Sequence, residues 1–548
     1  MAHVIFAQEM YFPLQSTQVL SAYLKRAGHT TDVAIGSPSE IVEYCKKEKS
    51  DLIAFSVLTS YRNHMLATVD ELKEAKIDSI LIAGGYDITF MPQIIKNSNL
   101  DMICVGEGGD PIIELCKVLD EGKNWRNLDI GNLHIKQTDG TIKKNPMRHW
   151  LMNMDETPFD DRDIYWKKDS YFKIVPFTQV LAGRGCPYPC TYCFNDGYKK
   201  IHVAAGMKGK DYTNVRSVPH VIEELKMLEN EYGSTDFFFN DSTLTYNPKW
   251  IIEFCSEYIK AGIKATYSIN AVIPELTEEV CKALADTKKC RLIRFGLETG
   301  NEQFRYKTLR KSVKNSQMIE VTDRMNKYSL RYSMEFMLGL PGETKELTWD
   351  TINMARRITG PRGVHGINIF KPFPGLEINN IGLELGQYQA SDVMAPGSVA
   401  PTTWRKESFK AADEKSEVTL PADEAYLASR QTMHKTGKDA ENVHNSGYNY
   451  GKNVFGSIKM VYYDNYRRDK LGLYILKLSR FSHVLIRFPG VKRIVEKIVA
   501  EFPDNPFNRA IWKATESLLN IRVHAGVPFS FFIKYFVFHR SKQVDNFN

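Results

Sequence analysis

At 548 residues the chain is too long for one hydrophobic core, and its length predicts about three domains. A composition of 43% hydrophobic and 25% charged residues, with no low-complexity tract and no internal repeat, excludes a disordered or fibrous polymer. The net charge of +7 is too modest to argue by itself for nucleic acid. The charge is uneven: from Gly451 to the end there are 17 Lys/Arg against 7 Asp/Glu, so the rest is slightly acidic. Nine cysteines, an odd number with six scattered through apolar periodic segments, do not make a disulfide framework and predict a reducing cytoplasm. The opening M-A-H-V-I-F-A-Q-E-M has no basic n-region or cleavage site, and no apolar run reaches the roughly 18–20 residues that span a bilayer.

In chain order, short apolar runs alternate with helical periods. His3–Ala7 reads as a strand before a helical Thr17–Ala27, and Asp32–Ala34 precedes Glu40–Lys47. Asp51–Ser56 precedes Asn63–Ala75, Ser79–Ala83 precedes Met91–Asn97, and Asp101–Val105 precedes Pro111–Leu119. This alternation predicts an α/β, doubly wound domain over residues 1–125, with ligands beyond the carboxyl ends of its strands. Two loops there are glycine-rich: Gly84-Gly85, and Gly106-Glu107-Gly108-Gly109, which opens a helix. They suit close backbone approach to an anionic ligand, or simply tight turns.

The run I-A-G-G-Y-D-I-T-F-M-P followed by D-M-I-C-V-G-E-G-G-D-P-I-I-E-L resembles the Rossmann-like cobalamin-binding domain that precedes many radical S-adenosylmethionine (SAM) enzymes. The resemblance makes Gly84, Gly85, Gly106, Glu107 and Gly108 cobalamin-binding candidates. No Asp-x-His-x-x-Gly follows the first strand, where F-A-Q-E-M-Y-F-P-L-Q stands. That implies cobalamin without a protein histidine beneath the cobalt, or a domain that has lost its cofactor. Residues 126–170 read as a linker; D-E-T-P-F-D-D-R-D-I-Y is turn-rich and acidic and resembles the linker of the same enzymes.

The third stretch, 171–375, opens with a strand over Phe177–Ala182 and then G-R-G-C-P-Y-P-C-T-Y-C-F-N. Cys186, Cys190 and Cys193 are one ligand short of a structural zinc site or a closed ferredoxin cluster, and no second cysteine pair lies nearby. The Cys-x3-Cys-x2-Cys spacing suits a [4Fe–4S] cluster with one open iron. This is the radical SAM signature. The resemblance implies that SAM chelates the open iron and that Tyr192 lies against its adenine.

Further strands are expected at Asp236–Asn240, Ala265–Ala271, Arg291–Leu297, Tyr332–Leu338 and Gly366–Lys371, with helices at Val218–Tyr232 and from Thr277. Six strand–helix units predict a partial (βα)6 barrel of TIM type, its active site at the carboxyl ends of the strands. G-L-E-T-G-N-E, an Arg twelve residues after its first Glu, and E-F-M-L-G-L-P-G-E-T resemble the SAM pocket of the coproporphyrinogen dehydrogenase and methylthiotransferase branch. Glu298 and Glu335 are therefore expected to accept from the ribose hydroxyls, Arg310 to clamp the carboxylate, and Asp241 to meet the ammonium. The plainer alternatives are a helix-capping Glu298, a surface Arg310 and a structural Glu335 pair. Pro374-Gly375-Leu376 departs from the usual Pro-Gly-Thr.

Residues 376–548 match no named motif and predict a mostly α-helical domain, with helices through Leu471–Phe488 and Val491–Phe502. Its basic, aromatic end suits a lid on the barrel mouth, or a surface for an apolar or anionic amphiphile or a membrane interface. The whole chain is read as a cobalamin-dependent radical SAM enzyme. The expected reaction is C-methylation of an unactivated carbon through a 5′-deoxyadenosyl radical and methylcobalamin. A cyclase or rearrangement enzyme of the same architecture is the alternative, and a non-catalytic cobalamin- or SAM-responsive binding protein is one of another class. The expected partners are a small-molecule substrate and an electron donor such as flavodoxin or ferredoxin. Nucleic acid is not expected, since no strand-rich RNA-binding appendage follows the barrel and no second cysteine trio is present. The expected location is the cytoplasm, with peripheral membrane contact through the C-terminal domain.

Overall fold

A computed structural model describes residues 1–149, 152–169, 172, 177–358 and 363–388, with Ala390 and Val393. The first sheet is built from β1 (His3–Gln8), α1 (Gln15–Arg26), β2 (Thr30–Ile35), α2 (Pro38–Lys47), β3 (Leu52–Ser56), α3 (Arg62–Glu74), β4 (Ile80–Gly84), α4 (Tyr86–Phe90), β5 (Met102–Cys104) and α5 (Gly109–Asp120). Its order is β2-β1-β3-β4-β5, all parallel. Successive strand residues go to opposite faces. Val4, Phe6, Leu52, Ala54, Ile82 and Met102 pack with Leu24 and Leu115 on one side. Ile5, Ala7, Ile53, Phe55, Leu81 and Ile103 pack with Ile41, Val69 and Leu72 on the other. Helices on both faces are why these strands read as continuous apolar runs. The expected doubly wound fold is found, and its order reverses between β1 and β3, which opens the ligand crevice there.

Two strands from the expected linker extend the sheet. β6 (Leu133–Lys136) pairs antiparallel with β5, and β7 (Ile142–Lys144) antiparallel with β6. β6 alternates buried and half-buried residues, as a strand with one covered face does. The acidic stretch beyond it is pinned to both domains. Arg162 is buried and donates to Gln18 Oε1 (3.0 Å) and to Glu224 Oε1 (3.3 Å), and Glu224 also takes Arg216 (2.5 Å). The D-D-R-D sequence is thus ion-pair chemistry, closed by α6 (Asp163–Trp166).

The second sheet is entirely parallel. β8 (Thr178–Val180) is followed by β9 (Gly183–Arg184), α7 (Phe194–Ala204) and β10 (Asn214–Val215), where β9 and β10 pair antiparallel as a small ribbon. Then come α8 (Val218–Asn230), β11 (Asp236–Phe239), α9 (Pro248–Lys260), β12 (Thr266–Asn270), α10 (Glu278–Asp286), β13 (Cys290–Glu298), α11 (Glu302–Lys307), α12 (Asn315–Lys327), β14 (Tyr332–Leu338), α13 (Lys345–Ile358), β15 (Gly363–Ile369) and α14 (Ile378–Glu384). The order β8-β11-β12-β13-β14-β15 keeps chain order, as a right-handed strand–helix winding requires. Helix-facing Tyr267, Ile269, Ile293, Phe295, Leu297 and Phe336 form the core against Leu225, Phe254, Leu284 and Met318. The alternate residues include Asn270, Arg294, Gly296, Glu298 and Glu335, a polar inner face. The six predicted strands and the partial barrel are all present.

Of the expected C-terminal helical domain, α14 lies within the described residues; Leu471–Phe488 and Val491–Phe502 lie outside them. Among the described residues no helix is long and apolar enough to cross a membrane.

Candidate active site

The carboxyl ends of the two sheets face each other across a cavity of about 1220 Å³. One wall carries Gly84, Gly85, Gly106, Glu107 and Gly108; the other carries Cys186, Cys190, Cys193, Tyr192, Asp241, Glu298 and Arg310. Of the site residues expected from sequence, Glu335 alone is not part of the lining. It lies on β14, accepting from Ser333 Oγ (2.9 Å) and Asn368 Nδ2 (3.4 Å), with its carboxylate over Gly366.

The cysteine loop is held from several sides. Asp241, just beyond β11, accepts the backbone N–H of Ala182 (3.1 Å) and Gly183 (2.5 Å), and burial pushes its carboxyl up to about 7. Its two oxygens are therefore spent on the entry to the loop. Tyr188, between the first two cysteines, donates to Glu275 (2.9 Å), a buried carboxylate that also takes Thr243 and Thr245. Thr191 ties the loop to the residues before Arg310 by Oγ1 to the Thr308 carbonyl (2.7 Å) and N–H to the Leu309 carbonyl (3.2 Å).

Gly185 fixes the geometry one residue before Cys186. Its φ is +78°, and a Cβ there would stand 2.0 Å from the Tyr212 carbonyl oxygen. Both the backbone region and the space exclude a side chain. Gly185→Ala should therefore cost about 2–4 kcal/mol. A denaturation midpoint lowered together with the iron content of reconstituted protein is the expected reading.

The three thiols are half-buried and none is in a disulfide. Burial pushes Cys186 up to about 12 and Cys190 up to about 11, and raises Cys193 as well. Each therefore stays a thiol until a metal displaces the proton. No three His, Cys, Asp or Glu side chains among the described residues converge on a single-ion site. Three soft donors on one wall of a cavity fit a cluster that gives each sulfur its own iron.

Beside the loop lies a buried triad. Lys311 Nζ sits 3.1 Å from both Glu298 Oε1 and the Tyr192 hydroxyl, and that hydroxyl donates to Glu298 at 3.0 Å. Lys311 and Glu298 are about a tenth exposed. Glu298 ends β13 at a register shift after Gly296, with a φ of +70°, a region costly for a side-chain residue. Arg310 also lines the cavity, but it is half exposed and its guanidinium is taken by Glu377. The cation deepest against Glu298 is thus Lys311. Sequence reasoning passed over Lys311, Glu275 and Arg184; the first follows Arg310 directly and the last lies inside the quoted G-R-G-C.

On the opposite wall, Gly85 has a φ of +101°, and a Cβ there would come within 2.9 Å of the Val57 carbonyl oxygen. Gly106 has a φ of +88° and donates its N–H to Thr89 Oγ1 (3.0 Å). The Glu107 carbonyl accepts from Asn132 Nδ2 (2.7 Å), and Gly108 caps α5. The turns after β4 and β5 thereby present bare backbone to the cavity, a cradle that fits a large polar cofactor. After β1, where a cobalt-ligating histidine was not found in the sequence, Gln8 Nε2 binds the carbonyls of Met10 (2.5 Å) and Phe12 (2.9 Å).

Residues 180–355 match the radical SAM superfamily and residues 12–116 match the B12 binding domain. The cavity between them defines a radical SAM enzyme with a cobalamin-binding domain, whose cofactors are a [4Fe–4S] cluster, SAM and cobalamin. The chain is similar to the uncharacterized methyltransferase PH0819 of Pyrococcus horikoshii, 26% identical over 346 residues that cover 62% of this chain and 71% of that protein. It is also similar to the cytidylyl-2-hydroxyethylphosphonate methyltransferase of Streptomyces wedmorensis, 24% identical over 343 residues, 56% of this chain and 60% of that one. In fold it resembles the radical SAM methyltransferase TsrM of Kitasatospora setae with cobalamin and cluster bound, with a TM-score of 0.59, 14% identity, and coverage of 84% of this chain and 96% of that one. The chain carries a radical SAM domain joined to a B12 binding domain, and the proteins it is similar to include methyltransferases.

Proposed function

We propose that the enzyme methylates an unactivated carbon of a small molecule. The observation that carries this reading is the shared chamber: the cysteine loop and the two glycine turns face one cavity rather than two. When bound, SAM on the cluster supplies a 5′-deoxyadenosyl radical for hydrogen abstraction, and cobalamin supplies the methyl group. Cys186, Cys190 and Cys193 hold the cluster; Tyr192, Glu298 and Lys311 form the polar seat next to it. Asp241 keeps the cysteine loop at the mouth of the barrel, and Arg310 stands at the rim. The glycines of the facing wall let the second cofactor come close to the first, and the enclosing walls keep water from the radical.

The proposed substrate is a small molecule, apolar or an anionic amphiphile, and its being a small molecule is supported by the relatives. One is named for a cytidylyl phosphonate, and TsrM has been solved with tryptophan bound. An external flavodoxin or ferredoxin supplies the electron.

The test is anaerobic reconstitution with cobalamin and trideuteromethyl-SAM, followed by incubation with a small-molecule extract. The expected products are 5′-deoxyadenosine, S-adenosylhomocysteine and an extract component carrying the labelled methyl group. Deoxyadenosine without the other two is the result that favours the cyclase or rearrangement enzyme and sinks methyl transfer.

A further inference from the structure

We propose that the Arg184–Glu107 ion pair is a strut between the two cofactor loops, through which cobalamin binding and cluster assembly favour each other. Arg184 lies on β9, two residues before Cys186. Glu107 lies in the turn after β5, between Gly106 and Gly108. The Arg184 guanidinium donates to the Glu107 carboxylate across the domain boundary, with side-chain exposures of 14% and 32%. Both residues line the cavity.

Each end is anchored in the machinery of its own cofactor. β9 is fixed by pairing with β10 at Asn214 and Val215 and by the turn that requires Gly185, so a shift of Arg184 moves Cys186. Glu107 is fixed from behind by Asn132 and by the positive φ of Gly106. A second contact runs alongside: the Tyr86 ring, directly after Gly84-Gly85, meets that of Phe194, directly after Cys193, at a centroid distance of 4.4 Å. Tyr86 also meets Tyr198 at 4.8 Å. The aromatic contact keeps the two loops adjacent, and the ion pair sets their register. Arg184 is the more enclosed of the two, so removing Glu107 leaves a largely buried guanidinium without this partner.

A link of this kind obeys reciprocity: if the assembled cluster tightens cobalamin by some factor, cobalamin tightens the cluster by the same factor. The inference rests on both cofactors occupying the chamber but not on methyl transfer, because binding constants need no turnover. Failure of the methylation reading would leave it standing.

The test titrates full-length protein with hydroxocobalamin, before and after anaerobic cluster reconstitution, in wild type, Arg184→Gln, Glu107→Gln and the double variant. In the wild type, the cluster should lower the cobalamin Kd by on the order of tenfold. Each single variant should lose that gain, and the double variant should be no worse than either. An unchanged cobalamin Kd in reconstituted Arg184→Gln overturns the proposal. So does additivity of the two substitutions, which would make Glu107 a direct cobalamin contact and Arg184 a separate one. Should Arg184→Gln fail to fold, iron release to a chelator decides. Cobalamin should slow release in the wild type but not in Glu107→Gln, and equal slowing in both overturns the strut.

Discussion

Alanine at any one of Cys186, Cys190 or Cys193 is expected to abolish the iron–sulfur absorption of anaerobically reconstituted protein and to cut 5′-deoxyadenosine formation roughly a thousandfold or more. Each thiol has its own iron to hold, so two cannot do the work of three. The loss should be chemical and not structural. All three are half-buried on a cavity wall, and none belongs to a core cluster. Circular dichroism and the denaturation midpoint of the cluster-free protein should stay close to the wild type, within about 1 kcal/mol. The buried cysteines give the opposite pattern. Cys281 is fully buried among Val280, Leu284 and Met318, so Cys281→Ala should lower stability and leave the cluster absorption intact. A variant of the trio that retains a full cluster would remove the assignment.

Hydrophobic periodicity made the two sheets legible because β1–β5 and the barrel strands are parallel and helix-covered, which writes each of them as an apolar run. β6 and β7 were harder to see. They are short, antiparallel and partly polar, and their pairing depends on β5 rather than on any local pattern. The acidic D-D-R-D stretch reads as a turn-rich linker because nothing nearby in sequence announces Gln18 and Glu224 as partners for Arg162. As a candidate site the cysteine trio was legible from its spacing together with Gly183-Arg184-Gly185 and Tyr192, all within one short stretch of chain. The residues that serve it from a distance were not. Glu275 reaches Tyr188 from another strand end, and Arg184 meets Glu107 across a domain boundary. Glu335, expected in the SAM pocket from the E-F-M-L-G-L-P-G-E-T pattern and its place on a strand, is engaged with Ser333 and Asn368. A strand position fixes the face of a residue but not its depth along the barrel.

Lys311→Met is expected to destabilise the protein by about 3 kcal/mol and to weaken SAM binding by on the order of tenfold or more. The argument begins with burial. Glu298 and Lys311 are each about a tenth exposed, and the two share the Tyr192 hydroxyl. Removing the amine leaves a largely buried carboxylate with one neutral donor, on a residue already held at a φ of +70°. Arg310→Met provides the contrast. That guanidinium is half exposed and paired with Glu377, which Lys200 also binds, so its loss should cost no more than about 1 kcal/mol. Glu298→Gln combined with Lys311→Met leaves no stranded charge and should recover part of the stability, which separates charge burial from packing. SAM binding to reconstituted enzyme, measured by equilibrium dialysis, then decides between two adjacent cations. If Arg310→Met weakens SAM more than Lys311→Met does, the carboxylate clamp is the arginine that the sequence pattern points to. In that case Glu377 must release Arg310 when SAM arrives, and the buried lysine serves only to hold Glu298.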